Sequence, residues 1–228
     1  MLPLAVLAGG LATRMRPLTE KIPKSLLEVA GEPFIFHQLR LLRRQGIDDV
    51  VLCVGYLGEM IEERVGSGES FALRVRYAYD GPRLLGTAGA LKQALPMLGR
   101  EFFVLYGDSY LTCDYRAVQA AYERSGKPAL MTVYRNQGHY DRSNVVFEQG
   151  EIMCYDKKNT RPDMMYIDYG LGILQSRVLE KLPDGEPADL ADVYTKLVLN
   201  GMLAGYEAPE RFYEIGSPAG LAELAAKL

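Results

Sequence analysis

Arg14, Arg16, Lys21 and Lys24 bring four cations close together near the start of the chain. They follow two consecutive glycines, Gly9 and Gly10, which themselves follow an apolar run, Leu4-Ala5-Val6-Leu7-Ala8. Glycine lets backbone N–H groups approach an anion closely, and cations on the same loop neutralise phosphate charge. The stretch from Leu7 to Lys24 is therefore a candidate triphosphate cradle; its plain alternative is a strand followed by a solvated basic turn. It is not a P-loop, because no Gly-Lys-Ser/Thr follows at the required spacing. It is not the dinucleotide fingerprint either, because position 12 is alanine and no third glycine follows.

Two further loops carry residues of the same kind. Gly107-Asp108-Ser109 follows the apolar run Phe102–Tyr106. Ligands of open α/β sheets bind outside the carboxyl ends of the strands, where this loop and the first both fall. Asp108 is a candidate Mg²⁺ ligand, since Mg²⁺ takes one or two carboxylates together with phosphate oxygens. Gly81 to Leu91 is a glycine-bearing loop running into a helix, with Thr87 as its expected N-cap. Backbone groups beside Gly86 and Gly89 are placed to read the edge of a nucleobase. The two histidines, His37 and His139, fall outside every motif.

The elements that must position these loops follow from hydrophobic period. Leu4–Ala8, Val50–Val54 and Phe102–Tyr106 are continuous apolar runs of the sort that form strands buried on both faces. Phe71–Tyr79 alternates as a further strand. Helical spacing covers Pro33–Gln45 and Leu57–Val65. Strand, helix and strand in repetition imply a parallel sheet covered by helices. Beyond about residue 125 the short strands Ala129–Tyr134, Asn144–Phe147, Ile152–Asp156 and Tyr166–Leu174 suit antiparallel or mixed pairing, with Gly150-Glu151 as a hairpin turn. An amphipathic helix over Leu190–Leu199, a strand over Met202–Tyr206 and a last helix capped by Ser217 with Pro218 at its first position complete the chain.

At 228 residues, one large domain or two small ones are allowed, and the 48% hydrophobic content is enough for a sizeable core. A net charge of −3 argues against a nucleic-acid surface. No apolar run approaches the roughly 20 residues of a membrane helix. Cys53, Cys113 and Cys154 form no metal spacing, and reduced thiols in a cytoplasmic protein account for them.

The loop of cations resembles the signature of the sugar-1-phosphate nucleotidyltransferases, roughly Leu-Ala-Gly-Gly-x-Gly-Thr-Arg-Leu-x-Pro-x-Thr followed by Pro-Lys. Gly9, Gly10, Thr13, Arg14, Pro17, Thr19, Pro23 and Lys24 match, while Ala12 replaces the usual third glycine. Leu85-Gly86-Thr87-Ala88-Gly89 resembles that family's base-contacting segment, in particular that of the mannose- and heptose-type guanylyltransferases. The resemblance implies a Rossmann-like α/β fold: a mixed, mostly parallel sheet flanked by helices. It also implies one domain over 1–228, with a nucleotide-binding half (1–125) and an acceptor-binding half (126–228). Leu7, Ala8, Gly9, Gly10, Thr13, Arg14, Gly86, Thr87 and Gly107 are its nucleotide-binding positions, and Arg14 and Lys24 its catalytic cations. Lys157, in Asp156-Lys157, is its acceptor-phosphate ligand. Asp168, Tyr169 and Gly170 stand where the family has Asn-Ala-Gly against the sugar. Glu214 takes the place of the family's second metal carboxylate; its extra methylene requires a shifted backbone or a water-bridged ion.

The implied reaction is Mg²⁺-dependent transfer from a nucleoside triphosphate, GTP first, to a sugar 1-phosphate. Its nucleophile is a phosphate already anionic at neutral pH, so no general base is required. A cytidylyltransferase acting on a phosphorylated alcohol such as phosphocholine, and a nucleotide-sensing module without turnover, are the rivals. A nicotinamide-dependent oxidoreductase is more distant, for want of the fingerprint. A homo-oligomer is compatible with this reading; nucleic-acid and membrane partners are not expected.

Overall fold

A computed structural model describes all residues, 1–228. The strands are β1 (Leu4–Leu7), β2 (Glu28–Val29), β3 (Glu32–Pro33), β4 (Asp49–Val54), β5 (Arg74–Tyr79), β6 (Glu101–Tyr106), β7 (Ser109–Tyr110), β8 (Ala129–Tyr134), β9 (Val145–Glu148), β10 (Glu151–Tyr155), β11 (Ile167–Gln175), β12 (Leu203–Glu207) and β13 (Tyr213–Glu214). The helices are α1 (Phe34–Arg44), α2 (Gly58–Val65), α3 (Gly86–Leu98), α4 (Tyr115–Ser125), α5 (Leu190–Leu199) and α6 (Pro218–Lys227).

Nine strands form one sheet in the order β5-β4-β1-β6-β11-β8-β12-β10-β9. β5, β4, β1 and β6 are parallel, as their intervening helices require. β11 then enters between β6 and β8, antiparallel to both, so the sheet is mixed. β12 runs parallel to β8, and β10 and β9 close the far edge antiparallel. Alternation along β1 divides the core between the two faces. Leu4 and Val6 join the cluster under α1, α2 and α4; Ala5 joins the cluster under α3 and α5. No helix is long and apolar enough to cross a membrane.

Several boundaries differ from the sequence reading. The strand expected from Phe71 begins only at Arg74, because Glu69–Phe71 forms a 3₁₀ turn that buries Phe71. The β9–β10 turn falls on Gln149-Gly150, both at positive φ, rather than on Gly150-Glu151. α4 has no counterpart in that reading, although its signals are present. Asp114 caps it by accepting from Arg116 N and Ala117 N, Gly126 follows it at positive φ, and Tyr115, Val118 and Tyr122 face the core.

The topology places the carboxyl ends of β1 and β6 side by side, and Gly107 makes their close approach possible. Its N–H donates to Leu7 O at 3.1 Å, and a Cβ added at Gly107 would lie 2.4 Å from that same oxygen. The obstruction is backbone, so no rotamer relieves it. Gly107→Ala should cost about 2–3 kcal/mol, in the range of overpacked cores. That lowers the melting temperature by roughly 5–10 °C for a chain of this size, measurable by circular dichroism.

Candidate active site

The loop of cations is held by its own uncharged residues. Ala8 N donates to Cys53 O at 2.9 Å, and Gly9 lies against the end of β4, where an added Cβ would be 3.0 Å from Gly55 N. Gly10 is left facing the cleft. Met15 is buried, and the buried Thr19 donates its hydroxyl to Ala12 O at 2.9 Å, closing the loop on itself. Arg14 stands on the 3₁₀ turn Thr13–Met15, exposed and without a protein carboxylate to pair with it. Ala12, where the signature has glycine, adopts φ 47°, ψ 43°. A left-handed alanine costs about 1–2 kcal/mol, partly offset by glycine's greater freedom in the unfolded chain. Ala12→Gly should therefore raise stability by about 0.5–1 kcal/mol, a rise of roughly 2 °C in thermal unfolding.

Lys24 and Asp108 meet directly. Lys24 leaves a 3₁₀ turn anchored by the buried Leu26, and its Nζ donates to Asp108 Oδ2 at 2.7 Å. Asp108 also accepts Ile215 N at its backbone oxygen, 3.0 Å, and the β7–β13 ladder then sets Glu214 opposite Ser109. Two carboxylates distant in sequence are thus neighbours across one short ladder. Glu214 bends back on itself: Oε2 accepts Gly216 N and Oε1 accepts Ser217 Oγ at 3.1 Å. Ser217 in turn accepts Gly220 N at 3.0 Å as the N-cap of α6.

No group of three or more His, Cys, Asp or Glu side chains is arranged to hold a metal. The donor set nevertheless fits a hard cation that completes its shell with phosphate and water. Asp108 already carries a cation, the Lys24 ammonium. Each carboxylate oxygen has two acceptor directions, so the contacts to Gly216 and Ser217 leave capacity on Glu214.

On the opposite side of the cleft, β11 beside β6 brings Asp168 to Tyr106. Asp168 Oδ2 accepts the phenols of Tyr106 at 2.8 Å and Tyr155 at 3.4 Å, and Oδ1 accepts Gly170 N at 3.1 Å. Burial first, then the Asp168 charge, push the Tyr106 and Tyr155 phenols well above the ordinary tyrosine range, so both remain donors. Lys157 Nζ lies 4.0 Å from Asp168 Oδ2 and 5.0 Å above the Tyr106 ring. Asp156, by contrast, accepts Lys158 N and Asn159 N and shapes its own turn.

The Gly81–Leu91 loop departs from the reading of its sequence. α3 begins at Gly86 with no side-chain cap, so Thr87 does not cap it. Thr87 lies inside the first turn and serves another helix: its hydroxyl donates to Asp189 Oδ1 at 3.0 Å and accepts Leu190 N, at the start of α5, at 2.7 Å. The first-turn amides of Ala88 and Gly89 both donate to Ala188 O, at 2.9 and 3.3 Å. A Cβ on Gly86 would sit 2.7 Å from that oxygen. These glycines thus let α3 pack against residues 186–188. Asp80 ties the loop back to Gly9: Oδ2 accepts Leu85 N at 3.1 Å, beneath Gly9 and Gly55.

A cleft of about 580 Å³ joins the two sides. Leu7, Ala8, Gly10, Arg14, Lys24, Thr87, Gly107, Asp108, Lys157, Asp168 and Glu214 line it, whereas Gly9, Thr13, Gly86 and Gly170 do not. The sequence reading did not single out Tyr106, Tyr140 or Arg211, which also line it. His37 is tied to Val29 O at 2.8 Å, and His139, on the wall, to Asn136 O at 2.8 Å. Burial pushes the Cys53 and Cys113 thiols up to about 12, which makes both inert at neutral pH.

One cleft thus gathers the cations Arg14, Lys24 and Lys157 with the carboxylates Asp108, Asp168 and Glu214, a set whose charges could receive a polyanion. The family model for nucleotidyl transferases matches residues 5–228. The chain is 29% identical to N-acetylmuramate alpha-1-phosphate uridylyltransferase of Neisseria meningitidis, covering 97% of this chain and 96% of that protein. It is 27% identical to the catalytic subunit beta of mannose-1-phosphate guanylyltransferase from Xenopus tropicalis, over 93% of this chain and 61% of the relative. The chain therefore spans about three fifths of that relative, and neither nucleotide type stands out. Among solved structures, HddC from Yersinia pseudotuberculosis with GMP-PN superposes with a TM-score of 0.82 at 22% identity, covering 100% and 99% of the two chains.

Proposed function

This chain belongs to the nucleotidyl transferase family, and on that premise we propose that it joins a nucleoside triphosphate to a sugar 1-phosphate. The observation that carries the reading is the single cleft lined by Arg14 and Lys24, by Asp108 and Glu214, and by Lys157 beyond them. A phosphate oxygen of the acceptor forms a bond to the α-phosphorus. The bond from that phosphorus to the bridging oxygen breaks, and pyrophosphate leaves with the electron pair.

The acceptor is its own nucleophile, since a phosphate monoester is largely dianionic at pH 7. What the protein supplies is position and charge compensation. Arg14 neutralises the β and γ phosphates and the pyrophosphate that departs. Lys24 moves from Asp108 to the α-phosphate or the incoming phosphate, and Lys157 holds the acceptor phosphate. Gly10 and Gly107 allow the backbone to approach the nucleotide, and Asp168 with its tyrosine donors faces acceptor hydroxyls. Family membership implies a divalent metal; we assign Mg²⁺ to Asp108 and Glu214, where it would withdraw charge from the phosphate oxygens.

GTP is the triphosphate favoured by the likeness of the Leu85–Gly89 loop to guanylyltransferases. Uridylyl transfer is the second reading, favoured by the relative that matches this chain over nearly the whole of both lengths. A sensing module without turnover fits less well, because every cation and carboxylate the reaction needs is present. The test is a matrix of GTP, UTP, dTTP and CTP against several sugar 1-phosphates, read as pyrophosphate release. One productive pair is expected, and silence throughout would sink the reading.

A further inference from the structure

Arg211 is a cation of the cleft that the phosphate chemistry does not employ. Its guanidinium carbon lies 3.9 Å from the ring centroid of Tyr140 and 4.9 Å from that of Tyr213. The next residue, Phe212, packs edge-on against Tyr169 with centroids 6.2 Å apart, so the segment bearing Arg211 meets the strand that carries Asp168. Nη2 donates to Glu223 Oε2, and Nε is buried without an acceptor. Glu223 also lines the cleft and is 53% exposed, so it is a replaceable partner.

We propose that Arg211 is a specificity-determining residue that reads a carboxylate on the acceptor sugar, so that the chain prefers an acidic sugar 1-phosphate to its neutral counterpart. This rests on the transfer to a sugar 1-phosphate argued above. The Tyr140 and Tyr213 rings restrain the guanidinium, and exchange of Glu223 for a substrate carboxylate would free its Nη2 donor to an anion in the cleft. The phosphates are already served by Arg14, Lys24 and Lys157, so a further fork of donors matches a second acidic group. The same stack disfavours a phosphorylated choline. An aromatic sandwich suits a quaternary ammonium, but here the cation is the protein's own and would repel another.

Two pairs of acceptors isolate the carboxylate: N-acetylmuramic acid 1-phosphate against N-acetylglucosamine 1-phosphate, and glucuronic acid 1-phosphate against glucose 1-phosphate. Binding is measured by calorimetry on the unmodified chain, and turnover as pyrophosphate release. In at least one pair the acidic member should bind about tenfold more tightly or better, the scale of a hydrogen-bonded charge. Arg211→Met should collapse that ratio towards one. Glu223→Gln, which removes the competing carboxylate, should widen it, a gain that misfolding cannot imitate. Equal or weaker binding of the acidic member in both pairs, or a ratio unmoved by Glu223→Gln, would overturn the assignment. Pyrophosphate release at equal Kd within both pairs would leave the transfer standing and refute the role of Arg211. A tenfold binding preference with no pyrophosphate release would do the reverse.

Discussion

Asp108→Asn should lower turnover by about a thousandfold, a loss of roughly 4 kcal/mol in the barrier, with the fold intact. The backbone at this position keeps its bond from Ile215 N, and the new side chain has the same shape. What it loses is charge. The ion pair with Lys24 at 2.7 Å goes, which should change stability by only about 1 kcal/mol for a pair at the cleft surface. The proposed metal loses one of its two carboxylates, and Glu214 alone supplies only half of their charge. The released Lys24 ammonium should meanwhile hold the triphosphate at least as well as before. The defect should therefore appear in kcat rather than KM. Steady-state kinetics and a melting curve read all three quantities, and turnover within tenfold of the unmodified chain would remove Asp108 from the metal site.

Arg14→Ala is expected to cost about 10²–10³-fold in kcat/KM, the scale of removing one preorganised charge-stabilising donor. Arg14 makes no ion pair within the protein and stands exposed on its 3₁₀ turn, so stability should stay within about 0.5 kcal/mol. Arg14→Lys should recover only part of the loss, because a point charge does not reproduce the guanidinium fork on a phosphate. A loss under tenfold for the alanine variant would assign the leaving pyrophosphate to another cation.

The parallel part of the sheet and its loops were legible because their physics is local. Strands buried on both faces are apolar runs, and the loops at their carboxyl ends are contiguous in sequence, so Gly10, Arg14, Lys24, Gly107 and Asp108 could be picked out directly. Glu214 could be named only through the motif order; its place beside Asp108 depends on the β7–β13 ladder, which no period in the sequence reveals. Thr87 shows the limit of a local rule. Its spacing suits an N-cap of α3, yet its hydroxyl donates to Asp189, the N-cap of α5, and accepts Leu190 N in that helix's first turn. The Tyr106–Asp168 wall is assembled by topology. β11 enters the sheet beside β6, and that pairing brings Tyr106 to Asp168. Arg211 gave no signal because its meaning depends on Tyr140, Tyr213 and Glu223 gathering around it. α4 is a different case: Asp114, Gly126 and the apolar spacing between them were all readable.

The most direct test of nucleotidyl transfer is the fate of two labels in the triphosphate that supports turnover, mixed with its sugar 1-phosphate. Label at the α-phosphate should pass into the nucleoside diphosphate sugar, and label at the γ-phosphate should leave as pyrophosphate in equal amount. Recovery of the γ label in a sugar product or as free orthophosphate would contradict the account.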